Sequence, residues 1–211
     1  MLYFTTMLLL TFVERSENLR TAIYLISTAL LLVAAYIVFY RVVAQDYKNK
    51  GRLGWWASTL QFLIFVAFFC FPYLYMPPEW SWDWLPNGTW NRFTALVLVL
   101  LGMVVAFGTM FWFGLRRAFG IEVKGIIRIG PYRFTRNPQM LGGWLMVMGV
   151  FVYLPSVYNL GWLLIWAVIG HWMVTTEETH LRRVFGEEYE RYCEETPRYI
   201  FNVFLLSSGK E

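Results

Sequence analysis

The sequence predicts an all-α membrane protein: a polytopic transmembrane bundle of about five spans, with a short C-terminal helical hairpin and a cytoplasmic amphipathic tail helix. The 211-residue chain is 58% hydrophobic and 15% charged, whereas soluble domains carry about 25% charged residues. Apolar runs long enough to cross a bilayer alternate with short polar segments. Eleven Trp contribute to an aromatic content of 20%, which is typical of residues seated at membrane interfaces.

The first half of the chain contains three full spans and one partial apolar run. Residues 1–13 are apolar but reach only about half a span, so we expect a short interfacial helix or a tilted partial span, broken at residues 14–17. The three full spans are predicted at residues 21–43, 54–76 and 93–115. The Trp-rich segment 77–92 between the last two is expected to be an outward-facing interfacial loop.

The second half predicts two shorter membrane segments and a polar tail. Residues 139–153 and 160–174 are near the lower limit for crossing a bilayer, and a tight, tilted helical hairpin fits them. The chain turns polar at Thr175. Beyond it, apolar side chains recur at helical spacing and predict one amphipathic helix against the bundle: Leu181, Val184, Phe185, Tyr189 and Tyr192.

The distribution of basic residues predicts the orientation of the bundle. There are four Lys or Arg in residues 41–53, one in 77–92, six in 116–138 and five after residue 176. Cytoplasmic loops of membrane proteins are enriched in Lys and Arg, so the three basic segments are expected in the cytoplasm. The net charge of +4 is therefore read as an orientation signal, and nucleic-acid binding is not expected.

Several common kinds of active site are excluded by the absence of their motifs. The sequence has no G-x-G-x-x-G, no phosphate-binding P-loop and no nucleophile elbow. Its His, Cys, Asp and Glu residues have no metal-ligand spacing, so no metal is predicted. Cys70 and Cys193 are interpreted as structural, and nothing indicates an obligate protein partner.

The first polar constellation is the segment 130–138, which reads GPYRFTRNP. Its Gly-Pro and Asn-Pro pairs fix turns, and Pro138 suits the first turn of the following helix. Arg133 and Arg136, with the backbone N–H groups of the turn, are good partners for a carboxylate or phosphate of a ligand. The alternative is a juxtamembrane basic loop that contacts lipid phosphates.

The second constellation is the acidic pair Glu177 and Glu178. Thr175 with Glu178 matches a capping box, which would explain Glu178 structurally. Glu177 lies about 100° further round the helix and is a functional candidate, because carboxylates at the membrane boundary are costly. It could bind an ammonium group, accept ribose hydroxyls or act as a general base. His180, one turn later, is expected at a solvated position, and Gly142-Gly143 is expected to allow close helix packing.

Together the stretches GPYRFTRNPQMLG and EETHLRRVFGEEYERY, followed by Arg198, resemble the isoprenylcysteine carboxyl methyltransferase family. That family is related in architecture to the phospholipid N-methyltransferases. The resemblance covers about residues 116–200. It implies S-adenosylmethionine as cofactor, bound in a cytoplasm-facing pocket built from the 130–142 loop, the hairpin and the tail.

The resemblance also implies roles for individual residues. Glu177 and Arg136 are the expected catalytic residues. The expected cofactor-binding residues are Tyr132, Arg133, Asn137, Pro138, Leu141, Gly142, Glu178 and His180. The residues expected to hold the tail as a lid are Phe185, Gly186, Tyr189 and Tyr192. On this basis residues 1–115 form substrate- and lipid-facing helices, and residues 116–211 form the cofactor-binding and catalytic region.

The predicted function is transfer of a methyl group to a lipophilic or small thiol, amine or carboxylate acceptor at the cytoplasmic membrane face. Members that act on prenylcysteine often carry an Arg one turn before the Glu pair, which would suit a carboxylate acceptor; the turn at 173–176 lacks it. An amine lipid, a quinone-like phenol or a small thiol therefore stays open. One alternative is an NADPH-dependent sterol or steroid reductase, which the segments Tyr192-Cys193 and Pro197-Arg198-Tyr199 resemble. A non-catalytic membrane scaffold is a second alternative, but it leaves the cytoplasmic polar cluster unexplained.

Overall fold

The computed structural model describes residues 2–75, 88–123 and 125–199, and within these the side chains of residues 18–70 and of the two later ranges. All regular elements in those ranges are helical, which confirms the predicted all-α class. A π-helical turn (Val38–Val43) and a 3-10 turn (Gly130–Arg133) accompany eight α-helices. These are α1 (Leu2–Ile37), α2 (Ala44–Lys50), α3 (Trp55–Tyr75), α4 (Thr89–Phe113), α5 (Leu115–Ala118), α6 (Pro138–Tyr153), α7 (Val157–Phe185) and α8 (Glu187–Glu195).

The helices fit an integral membrane bundle. Three helical segments are long and apolar enough to cross a bilayer, and two shorter apolar helices accompany them. Their outer faces expose large apolar side chains, among them Leu30, Val104 and Phe111. Such surfaces suit lipid and would be unfavourable in water. The chain is therefore a multi-pass membrane protein, as predicted. Most of the Trp-rich loop predicted at 77–92 lies outside the described residues.

Two interruptions that the sequence predicts in the helices are absent, because the residues at those positions are compatible with a helical backbone. The backbone of α1 continues through residues 14–17, where Glu and Arg are good helix formers. The predicted polar boundary at Thr175 is also wrong: α7 is one helix of 29 residues. The hydroxyl of Thr175 donates to the His171 carbonyl at 2.8 Å, one turn back. Since Thr175 is inside the helix, the predicted capping box does not form.

The predicted single tail helix is divided at Gly186. Gly186 has φ 50° and ψ −126°, a backbone conformation that is strongly disfavoured for residues with a Cβ. It ends α7, and the amphipathic α8 begins at the next residue with Tyr189 and Tyr192 buried. The apolar stripe predicted from residue 181 to 192 is thus shared by two helices.

Glycines allow α4 and α6 to pack almost backbone to backbone. A Cβ on Gly102 of α4 would lie 2.6 Å from the carbonyl oxygen of Gly142, and one on Gly142 would lie 2.5 Å from the backbone nitrogen of Ala106. Gly149 packs in the same way against Ala95. Close approach through small residues is typical of membrane helices. The packing role predicted for Gly142-Gly143 is confirmed, since Gly143 packs against the ring of Trp166 of α7.

An aromatic core joins α1, α3 and α7. Phe68 of α3 stacks on Trp162 of α7 with ring centroids 4.0 Å apart. Tyr24 of α1 contacts Tyr158 at the start of α7. Tyr47 of α2, which follows α1 in the chain, contacts His180 near the other end of α7. Helices α1 and α7 therefore run parallel.

The three segments predicted to share one side of the membrane meet at one end of the bundle. The backbone N–H of Leu53 donates to the Gly120 carbonyl at 2.8 Å, which joins the 41–53 segment to the 116–138 segment. The N–H of Arg136 donates to the Pro197 carbonyl at 2.9 Å, which joins the latter segment to the tail. This shared end carries the candidate site.

Candidate active site

A cavity opens at this end of the bundle between α2, the 117–140 segment, α7 and α8. The empty space between its lining residues is about 950 Å³, a figure that includes the solvent-open mouth. The described residues that line it are Tyr47, Phe113, Arg117, Ala118, Gly120, Glu122, Val123, Gly125, Ile126, Ile127, Tyr132, Arg136, Asn137, Pro138, Gln139, Met140, Met173, Glu177, Glu178, His180, Leu181, Tyr189 and Tyr192.

Seven of the ten predicted site residues line this cavity. They are Tyr132, Arg136, Asn137, Pro138, Glu177, Glu178 and His180. The other three lie elsewhere, because the cavity reaches only the first turn of α6. Arg133 is exposed at the end of the 3-10 turn. Leu141 is half-buried outside the lining, and Gly142 is buried against α4.

Hydrogen bonds to the tail fix the turn before α6. Gly130 has φ 61° and packs against the ring of Trp112, and Pro138 occupies the first turn of α6. The side-chain amide of Asn137 donates to the Arg198 carbonyl at 3.0 Å. The hydroxyl of Thr135 donates to the same carbonyl at 3.2 Å. The turn is therefore held by the chain that follows α8.

Glu178 is buried at the centre of three arginines. Arg198 reaches it with Nη2 at 2.7 Å from Oε2 and Nε at 3.1 Å from both carboxylate oxygens. Arg136 Nη1 lies 3.3 Å from Oε1, and Arg182 Nη1 lies 3.8 Å from Oε2. Since Glu178 is 2% exposed, these partners are needed to offset the desolvation of its charge. This carboxylate joins α7, the turn and the tail.

Glu177 has different surroundings, although it is the neighbouring residue. It is half-buried, lines the cavity, and makes no hydrogen bond or ion pair within the described part of the chain. Burial, and then the negative charge of Glu177, raise the pKa of the Tyr132 hydroxyl. The carboxylate of Glu177 is thus near Tyr132 and available to a ligand.

Helix α8 covers the cavity through two tyrosines. The hydroxyl of Tyr192 donates to the Tyr132 carbonyl at 2.8 Å, and burial raises its pKa, so it stays protonated as a donor. Arg128 Nη2 donates to the Glu188 carbonyl at 2.9 Å, and Nη1 lies 3.2 Å from Glu195. These contacts fasten α8 to the 117–140 segment.

His180 is buried, and the expectation of a solvated position is wrong. Its ring stacks on Tyr47 of α2 with centroids 4.1 Å apart and is 3% exposed. The stack places Tyr47 in the cavity wall. Sequence reasoning missed Tyr47 and Arg117 as lining residues, because both lie before the two motifs in the chain and no local pattern marks them.

Comparison with known proteins identifies this part of the chain. Residues 90–188 match the family model described as phospholipid methyltransferase. This region, just under half of the chain, is therefore similar to phospholipid methyltransferases. It extends from α4 to the start of α8 and contains both constellations.

Relatives of this domain include phosphatidylethanolamine N-methyltransferases of yeasts. Those of Candida tropicalis and Scheffersomyces stipitis are each 34% identical over 68 residues, and that of Candida albicans is 31% identical over 74 residues. Each match covers 32% of this chain and 8% of the relative. The matched family and these relatives are methyltransferases by name, and they give no support to the reductase alternative.

Proposed function

We propose that this protein is an S-adenosylmethionine-dependent methyltransferase that methylates the amine of a phospholipid headgroup at the cytoplasmic face of the membrane. The observation that carries the proposal is the carboxylate of Glu177, which lines the cavity and has no ion-pair or hydrogen-bond partner among the described residues. The relatives named phosphatidylethanolamine N-methyltransferase supply the acceptor class. Among the acceptors that the sequence leaves open, an amine fits best, because a free carboxylate suits a cationic headgroup.

The cavity has side chains that suit the polar groups of S-adenosylmethionine. Arg136 lines the cavity, and its guanidinium would bind a carboxylate, such as that of the methionine part. Tyr132, Asn137 and Pro138 would surround the rest of the cofactor. Glu178 would act indirectly by holding Arg136 in place, and His180 by holding the Tyr47 wall.

S-adenosylmethionine supplies an electrophilic methyl group on a sulfonium sulfur. A headgroup ammonium must first lose a proton, because only the neutral nitrogen has a lone pair to form the C–N bond. Glu177 accepts that proton as general base. As the C–N bond forms, the S–C bond breaks and its electron pair stays on sulfur. The cavity contributes mainly by positioning the two reactants.

A membrane position serves this reaction because the reactants come from different phases. The polar cofactor reaches the cavity from water, and the lipid reaches it sideways from the bilayer. The Lys and Arg distribution supports a cytoplasmic orientation. We also propose that residues 1–115 mainly face lipid and acceptor, while residues 116–211 bind the cofactor and carry out catalysis.

Methyl transfer from radiolabelled cofactor tests this function. Purified protein in mixed micelles is expected to label phosphatidylethanolamine and to leave phosphatidylcholine, whose nitrogen is fully methylated, unlabelled. Glu177→Gln should lower the rate by about 10²-fold or more, as expected for loss of a general base. Glu187→Gln, which changes an exposed carboxylate outside the cavity, should keep full activity. Full activity of the Glu177 variant would contradict the assignment of the base.

A further inference from the structure

Arg117 lines the cavity, and no described residue pairs with its charge. Its half-buried side chain lines the cavity from the short helix α5, directly after the membrane-spanning α4. It makes no hydrogen bond or ion pair with any described residue. The preceding Arg116 is exposed and outside the lining, so two adjacent arginines differ in whether they face the cavity.

The other charged side chains that line the cavity have ion-pair or hydrogen-bond partners. Glu178 is held by three arginines, and Arg136 is bound to Glu178 and Cys193. Glu122 also has a partner. Among the described lining residues, Arg117 and Glu177 are therefore the charged groups left entirely without one. They have opposite charges and share one cavity.

We propose that Arg117 binds the phosphodiester of the acceptor lipid while Glu177 receives its amine. A zwitterionic headgroup has these two charges joined by a short linker, so the pair would select lipids with both a phosphate and an amine. A guanidinium is well suited to the phosphate, since it donates paired hydrogen bonds to two oxygens. This inference rests on the proposed function and adds the group that selects the acceptor.

The position of Arg117 relative to the bilayer supports this role. The last turns of α4 expose Phe111 and Trp112 by 69% and 49%, and Leu115 of α5 is 45% exposed. These apolar side chains offer a surface for acyl chains immediately before the arginine. Lipid phosphates lie at the polar boundary of such a surface, where Lys and Arg attract them. A lipid beside α4 would thus present its phosphate to Arg117 and its amine to the cavity.

Arg136 is the arginine proposed to bind the cofactor, so Arg117 remains available for the lipid. Arg136 lies in the turn that matches the methyltransferase motif and lines the cavity. Arg117 is in α5, before that turn, and the sequence resemblance assigns it no individual role. Loss of Arg117 should therefore weaken acceptor binding and leave cofactor binding unchanged.

Kinetics with two acceptors test the assignment. One acceptor is phosphatidylethanolamine, and the other is a diacylglycerol aminoethyl ether, which has the amine but no phosphate. Arg117→Gln should raise KM for phosphatidylethanolamine about tenfold, which corresponds to about 1.4 kcal/mol, with a smaller change in kcat. It should leave KM for the ether and the affinity for S-adenosylhomocysteine unchanged. The matched control is Arg116→Gln, which should behave like the unmodified protein.

The outcomes separate this inference from the proposed function. Equal KM values for the Arg117 and Arg116 variants would overturn the phosphate site while leaving the methyltransferase in place. Weaker binding of S-adenosylhomocysteine by the Arg117 variant would reassign the arginine to the cofactor and also overturn it. Absence of transfer to either lipid by the unmodified protein would reject the proposed acceptor and this inference together.

Discussion

At the scale of single residues, Glu177 and Glu178 show how one step along a helix separates two roles. Successive residues are about 100° apart on a helix, so the two carboxylates face different neighbours. Glu178 meets Arg136 and Arg198 in a buried cluster. Glu177 faces the cavity, and no described residue neutralises it. We therefore assign a structural role to Glu178 and a chemical role to Glu177.

The Glu178 cluster predicts that two conservative substitutions differ greatly in their effect on the free energy of unfolding. Glu178→Gln leaves Arg136, whose side chain is 9% exposed, and its neighbours without their anion, and should lower the free energy of unfolding by about 3 kcal/mol or more. Glu190→Gln removes an exposed partner of Arg182 and should cost about 1 kcal/mol or less. Thermal unfolding in detergent measures both, and equal midpoints for the two variants would contradict the assigned structural role.

At the scale of elements, the sequence predicts the membrane helices well because hydropathy reports directly on burial in lipid. The apolar runs at 93–115 and 139–153 correspond closely to α4 and α6. The error at Thr175 has a physical cause. Threonine hydroxyls inside α7 donate to carbonyls one turn back, and the Glu178 charge is neutralised by arginines from other segments. A polar sequence therefore continues as helix, which local patterns alone do not reveal.

The contact between α4 and α6 gives a prediction with a control on the partner helix α4. Gly142→Ala places a methyl group 2.5 Å from a backbone nitrogen, where neither helix can yield locally, and should cost about 1–3 kcal/mol. Gly108→Ala points into open space and should be neutral or stabilise α4 by about 0.5–1 kcal/mol. Comparison of their thermal midpoints in detergent tests the packing. A Gly142 variant as stable as the Gly108 variant would contradict it.

At the scale of the whole molecule, the fold brings distant segments to one end of the bundle. The turn before α6 and the acidic pair of α7 can be recognised from their motifs, and they converge as the Arg136–Glu178 ion pair shows. Tyr47 and Arg117 could not be recognised in this way. Their places in the cavity depend on the parallel packing of α1 with α7 and on where α4 ends, which are properties of the assembled helices.

Photolabelling with 8-azido-S-adenosylmethionine tests most directly whether this convergence encloses the cofactor. The protein in detergent is irradiated with the probe, digested, and the labelled peptides are sequenced. We expect labels on peptides that contain the 130–140 turn, the 173–181 part of α7 or α8, and we expect S-adenosylhomocysteine but not NADPH to prevent labelling. Labelling confined to peptides outside the cavity, or protection by NADPH instead, would contradict the account.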